Sequence, residues 1–386
     1  MAAVARMERV GLPVDGDYLA QLVEAWEALQ LHYIQRDDEF HLYDGTSFVE
    51  ARLWDLINAK GWDWPRTPTG RYQLEKKTIG KQATRYPELK SLARLRDQIA
   101  ELRINKLDNT VGPDGFSRCP LLPFWTTTGR NQPSAKDKMF LLGLPTWLHG
   151  LLKPPRGTAL VELDFTAEEI TIVAGLSGDE RMIADYQEDP YWRFAVRAGL
   201  ARSDASIDER LRDLCKPVCL GMNYGMTPYG IRAKTKKSLD WSRDIHTRHR
   251  HIYPGFHQWL GDIIAQARFD GVIASPFGWR QIVTADTRTR SLMNFPAQAG
   301  GSDVMRLAAI VATECGITIA APQHDAFWIL TPLDEVESTI ARMTEIMVEA
   351  GRLVAGIPIR VKVEAVVRWP HCLADVRASD AKGQAM

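Results

Sequence analysis

The run Thr158-Ala-Leu-Val-Glu-Leu-Asp164-Phe165 constrains the fold more than any other feature of the chain. It is rich enough in Val and Leu to predict a buried strand, and it carries an acid, Asp164, at its end. Other strand-like text is scarce. Ile317 to Ala321 and Ala326 to Leu330 flank Pro322-Gln323-His324-Asp325, which reads as a tight turn, and Val361 to Val367 alternates Val with Lys, Glu and Ala like a half-buried final strand. Helical text from Ala167 to about Arg268 separates the first run from the rest. Few strands, scattered through the second two-thirds and split by long helical insertions, predict an α+β fold with a small antiparallel sheet and argue against a doubly wound parallel one. The phosphate-cradling patterns GxGxxG and GxxxxGK[ST] are absent from the sequence, so a dinucleotide-binding or Walker-type reading has no anchor.

Upstream, the Asp15-Gly16-Asp17 start signal precedes Leu19, Leu22, Val23, Trp26 and Leu29 at helical spacing. After a loop rich in Gly, Pro and Trp, Leu92, Leu95, Ile99 and Leu102 form a second stripe, so the first hundred or so residues read as an antiparallel helical hairpin. Between Arg71 and Lys106 ten Lys or Arg face four Asp or Glu, which is either a polyanion-binding stripe or a solvated helix face. Arg232 to Arg250 repeats the pattern, with seven basic residues against two Asp. Across all 386 residues 48 basic side chains balance 48 acidic ones, so global charge is silent about nucleic acid. No apolar run reaches the roughly 18 to 20 residues of a membrane helix, and Met1 to Val10 lacks the apolar core of a signal peptide. A soluble, cytoplasmic protein with no membrane partner is expected. Five cysteines, an odd number, fit a reducing compartment; Cys215 and Cys219 lie four apart on helical text without a completing zinc set and read as structural thiols.

Two acids are placed to do chemistry. Asp164 closes a buried strand and Asp325 lies on a turn between two others, so if those strands are neighbours both carboxylates converge at one sheet edge, as hard oxygen ligands suited to Mg²⁺. Taken singly, each is as readily a capping or turn aspartate. The spacing Arg212-xxx-Lys216-xxx-Leu220-xxx-Tyr224-Gly225 puts two cations, an apolar platform and an aromatic ring in order along one helix face. That face can clamp a triphosphate and meet a base, or can simply be a basic amphipathic helix.

Taken together, these segments resemble the polymerase portion of family A DNA polymerases, the DNA polymerase I family. Asp164 to Asp179 resembles the palm motif DYSQIELRxLAxLSGD, and Arg212 to Gly225 resembles the fingers motif RxxxKxxxFxxxYG. Arg290-Ser-Leu-Met-Asn294-Phe-Pro-Ala-Gln298 is similar to RxxxNxPxQ, Gln323-His324-Asp325 to VHDE, Thr128-Gly129-Arg130 to TGR, and Tyr253-Pro254-Gly255 to YPG. The six occur in family order, and Met7-Glu8-Arg9-Val10-Gly11 resembles the segment that opens the polymerase portion.

The resemblance implies a right-hand polymerase: a helical thumb at 1–120, an antiparallel-sheet palm at 121–180 (with Asp164) and 286–386 (with Asp325), and helical fingers at 181–285. It implies that Asp164 and Asp325, with the Phe165 carbonyl, bind two Mg²⁺ ions, with Mn²⁺ as a substitute. Arg212 and Lys216 would hold the incoming deoxynucleoside triphosphate, Lys216 would give a proton to pyrophosphate, Leu220 and Tyr224 would line the nucleotide site, and Glu169 would crowd a ribose 2′-hydroxyl. Arg130, Arg290, Asn294, Gln298 and His324 would touch primer-template DNA. With the polymerase portion starting almost at Met1, no proofreading exonuclease is expected. The sequence names no protein partner. The chain also departs from the family. Ala326 replaces the last acid of VHDE, Leu220 the fingers aromatic, and Ala167, Thr171 and Tyr191 a Gln, an Arg and a His; Pro217 should kink the fingers helix or shift its start. These departures motivate the alternative of a catalytically impaired polymerase relic that still binds primer-template.

Overall fold

The computed structural model describes residues 1–101, 111–134 and 140–376. Leu102, part of the first basic stripe and the polar tail from Arg377 lie outside the described residues. Packing divides the chain into two compact units. One comprises the described parts of Met1–Leu12, Arg118–Ala135 and Lys153–Met386, and the other those of Pro13–Ser117 and Lys136–Leu152. Helix α1 (Ala2–Val10) therefore belongs with the sheet-bearing unit, not with the helices that follow it in the chain.

The second unit holds α2 (Gly16–Asp37), α3 (Glu50–Lys60), α4 (Lys76–Arg85) and α5 (Lys90–Glu101). Asp15 caps α2 by accepting from the Tyr18 N–H, as the start signal predicts. The hairpin expectation needs amending: α2 and α5 do pack together, but α3 and α4 fold within the stretch between them that reads as a loop. Helices of ten or eleven residues carry too few periodic positions to stand out in sequence, and their stability comes from packing. Here Leu53, Ile57, Trp62, Trp64 and Ile79 form one core with Leu92, Leu95 and Ile99. Of the α2 stripe, Leu19 is buried whereas Val23 is exposed. Beside this core the buried Asp37 carboxylate accepts from Arg36 and Arg94, and the Arg36 hydrogen bond holds it below the usual carboxylate range despite burial.

The larger unit is built on one four-stranded antiparallel sheet. Numbering strands of three or more residues, β1 (Thr158–Phe165) is followed by seven helices, the hairpin β2 (Val272–Ala274) and β3 (Arg280–Ile282), and a long helix at Thr289–Glu314, before β4 (Thr318–Gln323), β5 (Ala326–Pro332), a helix at Val336–Ala355 and β6 (Val361–Arg368). The sheet order is β4-β5-β1-β6. β1 pairs antiparallel with both neighbours, and Asp164 stands opposite Ala326 on one side and Lys362 on the other. β4 and β5 each run two residues past the apolar text at one end, because ladder hydrogen bonds rather than hydropathy set where a strand stops.

The seven inserted helices are α6 (Glu168–Ser177), α7 (Glu180–Tyr186), α8 (Pro190–Arg197), α9 (Glu209–Asn223), α10 (Pro228–Thr235), α11 (Leu239–Ile252) and α12 (Pro254–Asp270). Aspartates start three of them: Asp179, Asp189 and Asp208 accept backbone N–H groups at the heads of α7, α8 and α9. Asp179 also accepts from the Phe256 N–H at 3.0 Å, stitching α7 to α12. Pro217 does not displace α9, which starts eight residues earlier at Glu209, behind the Asp208 cap, and continues through it. With no N–H to give, Pro217 leaves the Asp213 carbonyl without its helical donor, a local cost that the helix bears. Cys215 and Cys219 face the core of this unit, and burial pushes the Cys215 thiol up to about 12, as fits structural thiols. No described helix is long and apolar enough to cross a membrane.

Helices α13 (Thr289–Glu314) and α14 (Val336–Ala355) pack against each other and on the sheet. At the meeting of α6 and α14, a side chain at Gly175 would put its Cβ 2.0 Å from the Ala355 carbonyl oxygen, so only glycine lets the two backbones approach. The backbone on the far side cannot yield as a side chain would. We expect Gly175→Ala to lower stability by about 2 kcal/mol or more, read as a lower midpoint in denaturant; an unchanged midpoint would refute the close approach.

Candidate active site

The two aspartates singled out by sequence do meet. Asp164 is the penultimate residue of β1, and Asp325 lies in the two-residue turn joining β4 to β5, where Gln323 pairs with Ala326. His324, the other turn residue, takes a left-handed φ of 52°, which lets the chain reverse that tightly. The Phe165 N–H donates to the Asp325 carbonyl at 3.1 Å, tying the turn to the end of β1. Burial first, then the nearby Asp325 carboxylate, push Asp164 up to about 6, with Lys362 pulling the other way. This is the strain of two acids crowded at one edge, which a cation relieves. The donor set therefore suits a divalent metal. Among the described residues no three His, Cys, Asp or Glu side chains converge to cage an ion alone. Two carboxylates with remaining positions left to backbone oxygen, water and phosphate are the usual terms on which Mg²⁺ is held.

Directly after Phe165 the backbone turns sharply. Ala167 adopts φ 53°, ψ 43°, a left-handed cap that starts α6 and puts Glu168 and Glu169 in its first turn. Glu169 accepts from Arg130 at 3.3 Å and faces the hydroxyl of Tyr224 at the end of α9; that hydroxyl also has Gln298 of α13 near it but closes a hydrogen bond with neither. Burial, with Glu169 adding to it, pushes the Tyr224 hydroxyl well up. Four residues predicted from four separate segments thus share one neighbourhood. Arg290 reaches the Gly225 carbonyl at 3.5 Å, the Asn294 side-chain oxygen is buried without a partner, and His324 stands exposed.

The α9 stripe is the accessible face of its helix. Arg212, Leu220 and Tyr224 are half-buried and Lys216 is exposed, while Cys215, Val218, Cys219 and Met222 supply the buried side. The ring of Tyr191 lies beneath both cations, 5.4 Å from the Arg212 guanidinium and 5.8 Å from the Lys216 ammonium. Arg212 is not free: it donates to Asp189 at 2.8 Å, the same carboxylate that caps α8, and that bond first of all raises its pKa.

Three residues near the aspartates escaped the sequence reading. Lys362 lies 3.3 Å from Asp164 and also pairs with Glu364; burial opposes its charge, but Glu364 and Asp164 together hold it above the ordinary lysine value. The alternation Val361-Lys-Val-Glu364 marked a strand but not which strand it would face. Glu168 is fully enclosed, and its Oε1 has no hydrogen-bond partner. A Cβ on Gly301 would come within 2.9 Å of its Oε2, so α13 leaves just enough room for the carboxyl. Two acids side by side ahead of an apolar helix were the only available signal.

Burial, reinforced by Asp325, raises Glu168 to about 8 from an ordinary 4.5. The folded chain then holds a proton that the unfolded chain releases, so stability should fall as pH rises from about 4.5 to 8 and level off above. In metal-free buffer Glu168→Gln should remove most of that slope, which is at most about 1.4 kcal/mol per pH unit, and gain on wild type as pH rises. Denaturation curves at pH 5 and 8 check this, and parallel slopes would refute it.

A family profile described as DNA polymerase family A matches residues 148–371, more than half of the chain. Among curated relatives, the DNA polymerase I of Chloroflexus aurantiacus is 22% identical over 94% of this chain and 41% of its own length. The thermostable DNA polymerase I of Thermus thermophilus is 25% identical over 95% and 47%, and the DNA polymerase of Mycobacterium phage L5 is 23% identical over 89% and 57%. The chain thus spans about half the length of these relatives. Among solved structures, the POL domain of Pol1 from M. smegmatis, in complex with DNA primer-template and dNTP, shares the fold with a TM-score of 0.78 at 21% identity, over 95% of this chain and 68% of that one. With the profile covering the paired aspartates, α9 and α13, the chain belongs to DNA polymerase family A.

Proposed function

We propose that this chain is a template-directed DNA polymerase that adds deoxynucleotides to a primer 3′-hydroxyl by nucleotidyl transfer. The observation that carries the reading is the convergence of Asp164 and Asp325 at one sheet edge, locked by the Phe165–Asp325 backbone bond. Asp164, Asp325 and the Phe165 carbonyl would hold two Mg²⁺ ions, or Mn²⁺ in their place. When bound, such a pair activates the attacking hydroxyl and stabilises the departing oxygen. The primer supplies the nucleophile, so no Ser or Cys of the chain needs activating.

Arg212 and Lys216 bind the triphosphate, and Lys216, exposed on its helix, can protonate the pyrophosphate as it leaves. To serve, Arg212 exchanges the Asp189 carboxylate for phosphate oxygens, one charge-assisted partner for another. Leu220 offers an apolar surface to sugar and base, and Tyr224 packs near the nascent pair. Glu169, oriented by Arg130, excludes a 2′-hydroxyl from the space over the sugar. Arg130, Arg290, Asn294, Gln298 and His324 meet primer and template, where minor-groove acceptors recur at similar positions in every correct pair and allow a test of shape without reading sequence. A primer-template and a dNTP are what the related M. smegmatis POL domain was solved with, which supports the same partners here. By the same reading, the helices of the second unit serve as the thumb.

Primer extension with Mg²⁺ tests the proposal. Asp164→Ala should reduce extension to background while primer-template binding stays within about twofold; wild type that binds DNA and never extends it would favour the relic reading instead. Glu169→Ala should raise ribonucleotide incorporation relative to deoxynucleotide by roughly tenfold or more, and an unchanged ratio would remove Glu169 as the sugar discriminator.

A further inference from the structure

Lys362 is the direct cross-strand neighbour of Asp164, and its ammonium lies 3.3 Å from Asp164 Oδ2. Past Lys362 the ladder slips: Val363 pairs with Leu163 and Ala365 with Glu162, so Glu364 is the extra residue of a bulge. A bulge re-aims the side chain it carries, and Glu364 is in fact paired with the same Lys362. One ammonium is thus shared by two carboxylates, only one of which belongs to the paired-aspartate centre. Lys362 is half exposed, and its flexible stem can shift between them. At the start of β5, Ala326 supplies no further carboxylate to offset a positive charge beside Asp164.

Resting on the reading that Asp164 binds a divalent cation, we propose that Lys362 is the resident counter-cation of Asp164 and passes to Glu364 when that cation binds. Two crowded carboxylates repel each other, and the lysine offsets the charge of Asp164 while no divalent ion does so. An ammonium left beside a divalent ion would repel it, and removing the lysine to water would strand nothing but would forfeit its ion pair. Glu364 offers a second pair within reach of the same stem. The Lys362/Glu364 couple is therefore a positioning device that sets the ion concentration at which the centre fills.

Mn²⁺ binding to the whole chain, without DNA or nucleotide, tests this by counting free ion with electron paramagnetic resonance. Asp164→Ala identifies the binding that belongs to the centre. Lys362→Met should tighten that binding roughly five- to tenfold, as expected for removing one positive charge a few ångströms from a divalent ion where solvent still screens the pair. Glu364→Gln should weaken it severalfold, because the displaced ammonium loses its alternative partner, and Lys362→Arg should stay near wild type. The opposite signs separate this from general damage, and a thermal transition recorded for each variant checks its fold; Lys362→Gln stands in if the Met variant lacks one. Binding that is unchanged or weaker in Lys362→Met, or not weakened in Glu364→Gln, would overturn the inference. So would Asp164→Ala binding Mn²⁺ like wild type. Wild type that binds Mn²⁺ at Asp164 as described yet extends no primer would remove the polymerase reading and leave this one standing.

Discussion

Two like charges held against their own repulsion organise this molecule. Asp164 and Asp325 come from strands and turns more than 150 residues apart, and the β5–β1 ladder, closed at its end by the backbone hydrogen bond from Phe165 to Asp325, fixes their approach. Everything around them answers that repulsion. Lys362 is drawn across the ladder, Asp164 holds its proton to higher pH than an ordinary aspartate, and so does the buried Glu168, one of the two further acids that the left-handed cap at Ala167 brings into the first turn of α6. The energetic terms of the site are therefore electrostatic and local, while the means of imposing them is sheet topology.

Much of this was legible in the residues. Thr158 to Phe165 was readable as a buried strand because Ala159, Leu160, Val161, Leu163 and Phe165 make it mostly apolar and rich in strand-forming residues; the structure gives it the same limits and buries those five. The α9 stripe was readable because a four-residue spacing drifts only slowly around a helix, and its cations do lie on the accessible face. Motif order reached further than periodicity. Nothing in hydropathy connects Arg130, Glu169, Tyr224 and Gln298, yet four resembling segments in register named all four, and they share one neighbourhood.

What stayed hidden is equally physical. Helices α3 and α4 are too short to impose a period and exist because Trp62, Trp64 and their neighbours form a core for them. Lys362 could not be foreseen because a one-residue change of register would have put it on the other face of the sheet, and register is set by partners that hydropathy does not name. Glu168 reads as a solvated charge in any linear scan; its enclosure depends on Gly301, 133 positions away, having no side chain. Pro217 was readable as a helix breaker, but a helix capped at Asp208 and packed through Cys215, Val218 and Met222 carries the missing hydrogen bond.

The placement of α1 bears on how the molecule assembles. Its Arg6 donates to the Thr313 carbonyl, its Glu8 accepts from the Leu121 N–H, and it lies along β4. The central strand β1 finds both its neighbours only in β5 and β6, the last of which begins at Val361. A ribosome must therefore deliver the chain as far as β6 before the sheet can close, while α1, made before every strand of that sheet, waits for a groove that does not yet exist. Separations this long make the search for native pairings slow, whereas the helical second unit, contiguous but for one short return, can condense while synthesis continues.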